Sequence, residues 1–126
     1  MAHNLKGVDT ARAAELMERG ALMVDVRESY EYASARIPGS HNAALSGIER
    51  SDLPLAPGQA IVFFCASGNR TSMHASRLAA KANGSEAYVM SGGITAWARA
   101  GLPVARGGAE ASGGESRPGF FSRLFG

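Results

Sequence analysis

The sequence predicts an α/β domain, with a parallel sheet of about five strands and helices on both faces. Short, near-continuous apolar runs at residues 21–26, 61–64 and 87–90 read as strands buried on both sides. Between them apolar residues recur at helical spacing, as Ala75, Leu78, Ala79 and Ala82 do. The chain has 126 residues, 45% of them hydrophobic. That is enough for one domain with its own core.

The elements follow in order. A first strand is expected near residues 5–8. Asp9 or Thr10 can then cap a helix, because either side chain can accept from a free N–H. Ala13, Leu16 and Met17 give that helix one apolar face, and Gly20 can end it in a left-handed turn. The strand at 21–26 carries Asp25 near its carboxyl end, the end at which open α/β sheets bind ligands. Residues 29–35 read as a short helix, and Ile37-Pro38-Gly39 as a turn. Residues 46–51 form another short helix, and the Pro-rich stretch 53–58 connects it to the strand at 61–64. A helical pattern resumes after Thr71. The strand at 87–90 leads into a tight turn, Ser91-Gly92-Gly93, beside the expected pocket. Ile94, Trp97, Ala98 and Gly101 are placed on the inner face of the last helix, with Trp97 as a core residue. There is no internal repeat.

Cys65 is the only cysteine, and it stands where the strand at 61–64 gives way to a loop and a helix. Such a loop turns backbone N–H groups inward, and the helix adds its positive N-terminal end. Both lower the pKa of a thiol, as does a nearby arginine such as Arg70. A cysteine so placed is set up as a nucleophile. An inert buried thiol is the better reading of a lone cysteine without that context.

Four stretches carry a family resemblance. Cys65-Ala66-Ser67-Gly68-Asn69-Arg70 resembles the six-residue active-site loop of single-domain rhodaneses, which are sulfurtransferases. Val24-Asp25-Val26-Arg27-Glu28 with Glu31-Tyr32 resembles that family's first signature. Ile37-Pro38-Gly39-Ser40 with His41-Asn42 resembles its second. Gly92-Gly93-Ile94 with Trp97, then Gly101-Leu102-Pro103-Val104, resembles its C-terminal signature. The resemblance covers roughly residues 5 to 105, and it implies a rhodanese-like three-layer fold.

It also implies a two-step reaction. The Cys65 thiolate takes the outer sulfur of a donor such as thiosulfate, and the Cys65 persulfide passes it to a thiol or to cyanide. The N–H groups of Ala66, Ser67, Gly68, Asn69 and Arg70 would stabilise the thiolate and the persulfide. Arg70 could hold a sulfonate or sulfite by two oxygens. Ser67, Asn69 and Thr71 could add hydrogen bonds, or the loop residues could simply be exposed. Asp25 and Arg27 form either a structural ion pair or a supporting shell for the loop. The sequence departs from the family before Ile37, where Ala35 and Arg36 replace the usual glycine and histidine. Ala35 is less comfortable than glycine in a left-handed turn. Arg36 is expected to be a solvated surface residue rather than to face the pocket.

Other classes are excluded or set aside. A net charge of +2 without a dense Lys/Arg run argues against nucleic acid. One cysteine excludes an intramolecular disulfide and a CxxC metal site. His3, His41 and His74 lack ligand spacing, so no metal or other cofactor is implied. No run of about 18 apolar residues spans a membrane. The start lacks an apolar leader, and a cytoplasmic protein is expected. Cysteine phosphatases and arsenate reductases carry Cys-x5-Arg, whereas this loop is Cys-x4-Arg, one residue tighter. The non-enzymatic alternative is a catalytically silent rhodanese-like binding or regulatory module.

The domain is expected over residues 1–105. Residues 106–126 form a Gly/Ser-rich linker and a short aromatic tail, with Phe120, Phe121, Leu124 and Phe125 on one side of any helix formed there. So short a helix is marginal alone. The readings are an unstructured tail, docking on this chain or a partner, and association with a membrane surface.

Overall fold

The structure is a computed structural model and describes residues 5–107. The aromatic tail, nearly all of the linker and His3 lie outside those residues. Four strands of four residues each build the centre of the sheet: β1 (Leu5–Val8), β2 (Leu22–Asp25), β5 (Ile61–Phe64) and β6 (Ala87–Met90). With β4 (His41–Asn42) they form a five-stranded sheet in the order β1-β6-β5-β2-β4, every pairing parallel. The expected α/β architecture is therefore present. β5 is central, with Asp25 of β2 opposite Phe64. That register brings the ends of both strands to the same edge, just before Cys65.

Alternation along β5 divides the core. Ile61 and Phe63 point to one face, Val62 and Phe64 to the other, and all four are fully buried. The first face is covered by a 3-10 helix (Leu45–Arg50), through Leu45 and Ile48, and by α4 (Ala75–Ala82), through Leu78 and Ala82. The second is covered by α1 (Thr10–Glu18), through Ala13 and Leu16, and by α5 (Gly93–Arg99), through Ile94 and Trp97. Trp97 is a core residue, and its indole N–H donates to the carbonyl of Pro103 at 2.8 Å. Of the two possible caps of α1, Asp9 is the one used: its carboxylate accepts from the Arg12 N–H at 2.8 Å.

Several expectations need correction. The helix after the loop begins at Asn69 and is broken in two. α3 (Asn69–Met73) is fixed by the loop and by burial of Thr71, and α4 by burial of Leu78 and Ala82. The chain bends between them at His74, with φ −117° and ψ 27°. Ala98 and Gly101 are exposed rather than inward. Ala98 lies about 100° round the helix from Trp97, and Gly101 lies past the end of α5. The short helix α2 spans Ser29–Ser34, and Ala35 leaves it for a strand.

That strand, β3 (Ala35–Arg36), pairs antiparallel with β7 (Ala105–Arg106). Ala35 is extended, with φ −159° and ψ 137°, so no glycine is needed there. Arg36 is not a solvated surface residue. It is 7% exposed, donates to the Ala33 carbonyl at 3.2 Å and lies over the Tyr32 ring at 5.9 Å. Placing it between the ribbon and the end of α2 removes it from water.

Candidate active site

β5 delivers Cys65 to the carboxyl edge of the sheet, and the chain must then turn sharply into α3. Gly68 makes the turn with φ 104°, a left-handed conformation that favours glycine. The turn folds the loop back on the sulfur, so the Gly68 N–H donates to Cys65 Sγ at 3.1 Å. The Thr71 hydroxyl lies 3.8 Å from the same sulfur and 3.1 Å from the Gly68 carbonyl oxygen, so its one proton can reach either. Cys65 and Thr71 are fully buried, whereas Ser67 and Asn69 are exposed and Ala66, Gly68 and Arg70 are half-buried.

Burial alone pushes the Cys65 thiol up. The N–H groups of Thr71, Gly68 and Ser67, with the Thr71 hydroxyl, outweigh it, and the net pKa falls below the ordinary thiol value. The thiolate is thus stabilised by backbone dipoles and a hydroxyl.

The far wall of the loop comes from the Gly92-Gly93 turn and α5. The Ile94 N–H donates to the Cys65 carbonyl at 2.9 Å, and the Thr95 N–H to the Ala66 carbonyl at 3.0 Å. These N–H groups open α5 and have no partner within the helix, so the helix start and the loop carbonyls satisfy each other. Gly93, with φ 58°, allows this approach: a Cβ there would overlap the carbonyl oxygens of Cys65 and Ala66.

Asp25 and Arg27 form a buried pair. Arg27 Nη2 donates to Asp25 Oδ2 at 2.7 Å, Arg27 Nε to Oδ1 at 3.0 Å, and the Arg27 backbone N–H also reaches Oδ1. Arg27 Nη2 continues to the Ala35 carbonyl at 2.6 Å, tying the end of β2 to β3. Asn42 adds a second tie, donating to the carbonyls of Asp25 and Arg27.

Arg70 meets a partner to which the sequence pattern assigned no role. Its Nη1 and Nη2 hold the two carboxylate oxygens of Glu31 at 2.8 and 3.0 Å. Glu31 Oε1 also accepts the Glu28 N–H at 2.9 Å, half of the capping box that opens α2. The Arg70 contact, foremost, holds the Glu31 carboxyl below the usual range, and Glu31 raises Arg70 in turn. The Glu28-x-x-Glu31 spacing could have marked the cap, but no local signal names a cation 39 residues away. Among the described residues, no group of three His, Cys, Asp or Glu side chains could hold a metal ion.

The fold and loop define a class. Residues 9–100 match the family model of the rhodanese-like domain, and the chain belongs to that family. It is 35% identical over 86 residues to an uncharacterized protein of Synechocystis sp., a match covering 68% of this chain and 47% of that protein. The chain thus spans about half the length of that curated relative. It is similar to a rhodanese-related protein of Thermoplasma volcanium, with 26% identity and TM-score 0.68 over 79% of this chain and 97% of that one. It is also similar to a thiosulfate sulfurtransferase of Pseudomonas aeruginosa, with 25% identity and TM-score 0.69 over 86% of this chain and 21% of that one.

Proposed function

We propose that the protein is a sulfurtransferase that carries sulfane sulfur as a persulfide on Cys65. The observation that carries this reading is the thiol cradled by the loop, with the Gly68 N–H on its sulfur at 3.1 Å and its pKa lowered. The Cys65 thiolate attacks the outer sulfur of the donor. The donor's S–S bond breaks, its electron pair leaves with sulfite or a thiolate, and Cys65 keeps the sulfur. An acceptor thiol or cyanide then removes it. The loop N–H groups hold the negative sulfur in both states. The sulfurtransferase named among the similar structures supports the assignment, and so does a loop too short for the phosphatase pattern.

Arg70 has a narrower part than a free oxyanion clamp. Two of its five donors are taken by Glu31, so an anion meets the remaining three. The domain is taken as residues 1–105, and β7 carries its pairing one residue further, to Arg106. No helix among the described residues is long and apolar enough to cross a membrane.

A second reading has one observation in its favour. Cys65 has no exposed surface, which a silent binding module would also show. Steady-state kinetics with thiosulfate and cyanide separate the two. Parallel double-reciprocal lines, with all activity lost in Cys65→Ser, are expected of a covalent relay. Activity retained in Cys65→Ser would refute it.

A further inference from the structure

We infer that residues 120–125 of this chain dock into a groove on its own domain, between α5 and the β3–β7 ribbon. The inference is independent of the chemistry at Cys65.

The groove is apolar at its floor and cationic at its rim. Ala35 of β3, Ile94 and Ala98 of α5, and Val104 just before β7 line a hollow of about 450 Å³. A volume of that order encloses small apolar ligands in other proteins, and aromatic side chains are groups of that kind. Ala98 is exposed, so the apolar floor reaches the surface. Arg99 and Arg106 also line the hollow, and both are exposed. Neither has an ion-pair partner among the described residues.

The chain leaves the domain from a wall of this groove. β7 ends at Arg106, and the Gly107 N–H then donates to the Ser34 carbonyl at 2.8 Å, beside the start of β3. Residues 108–126 lie outside the described residues, and their sequence complements what the groove offers. Glu110 and Glu115 come first, with the charge opposite to that of Arg99 and Arg106. Phe120, Phe121, Leu124 and Phe125 follow, a dense apolar group after a Gly- and Ser-rich stretch. Exposed ion pairs contribute little affinity, so the carboxylates steer and the aromatic side chains hold.

Reach and tethering favour this occupant. Residues 108–119 span about 40 Å when extended, and a Gly/Ser-rich linker of that length averages about 19 Å. α5 has 7 residues and is about 10 Å long, so Phe120 can reach the whole groove. A flexible linker keeps the segment at an effective concentration of about a millimolar. A second copy in micromolar solution competes poorly against that.

Chymotrypsin, which cuts after aromatic residues, reads the docked fraction through cleavage after Phe120, Phe121 and Phe125, followed by intact mass. Cleavage of the full-length wild-type chain is expected to be about tenfold or more slower than that of Ala98→Arg, which puts a long cation in the groove. The wild-type rate constant should be the same at protein concentrations about twentyfold apart. Equal rates in the two proteins would overturn the inference. Protection that grows with protein concentration would overturn it in favour of a second copy. Protection that appears only with phosphatidylglycerol–phosphatidylcholine vesicles would overturn it in favour of a membrane surface.

If Ala98→Arg does not fold, amide NMR spectra of the wild-type chain and of Phe121→Ser with Phe125→Ser decide instead. The resonances of Ala35, Ile94 and Ala98 should move, while those of Ser76, Ala80 and Lys81 on α4, across the sheet, stay in place. Unmoved resonances at Ala35, Ile94 and Ala98 would overturn the docking.

Discussion

At the residue scale, the chemistry depends on how a buried sulfur comes to hold a negative charge. Burial opposes the thiolate, and the turned-in N–H groups with the Thr71 hydroxyl overcome it. Thr71→Val removes the hydroxyl at 3.8 Å and keeps the shape of the side chain. Its Cys65 should ionise at higher pH than in the wild-type protein, where ionisation falls below the ordinary thiol value. Ultraviolet thiolate absorbance against pH checks this, and an unmoved inflection would remove Thr71 from the site. Cys65 and its loop were legible in the sequence because strand, glycine and helix start are all local signals. Glu31 was not, because its pairing with Arg70 exists only once α2 and α3 are brought together. Arg36 was misjudged because its side chain folds back on the end of α2, over Tyr32 and onto the Ala33 carbonyl, a contact that the residue type alone does not announce.

At the element scale, the site is a junction between the end of β5 and the start of α5. The helix start gives its free N–H groups to the carbonyls of Cys65 and Ala66, so α5 holds the loop closed over the sulfur. Gly93→Ala should break this junction. It places a Cβ on those carbonyls at a left-handed φ, and a cost of about 2 kcal/mol or more is expected from strain and overlap. Urea unfolding measures that loss, and a change within about 0.5 kcal/mol would contradict the packing described. The longer strands were legible because a four-residue apolar run is a pattern. β3, β4 and β7 have two residues each, too few for any period to show. The break at His74 was hidden because the alanine spacing begins only at Ala75, inside α4, and the five residues of α3 before it are too few to show a period of their own.

At the scale of the whole molecule, two cores on opposite faces of one sheet fix where the carboxyl edge lies. Trp97 anchors the face shared by α1 and α5. Trp97→Ala should cost about 3–5 kcal/mol, and a denaturation midpoint close to the wild-type value would contradict its place in the core. The layered α/β plan was readable from the alternation of apolar runs and helical periods, because burial on both faces imposes it.

Intact-mass spectrometry of the purified protein, before and after exposure to a sulfur donor and beside Cys65→Ser, tests sulfur carriage most directly. The wild-type protein should gain one sulfur, about 32 Da, lose it again to cyanide or a thiol, and owe the gain to Cys65 alone. An unchanged mass after every donor, or the same gain in Cys65→Ser, would contradict persulfide chemistry at this loop.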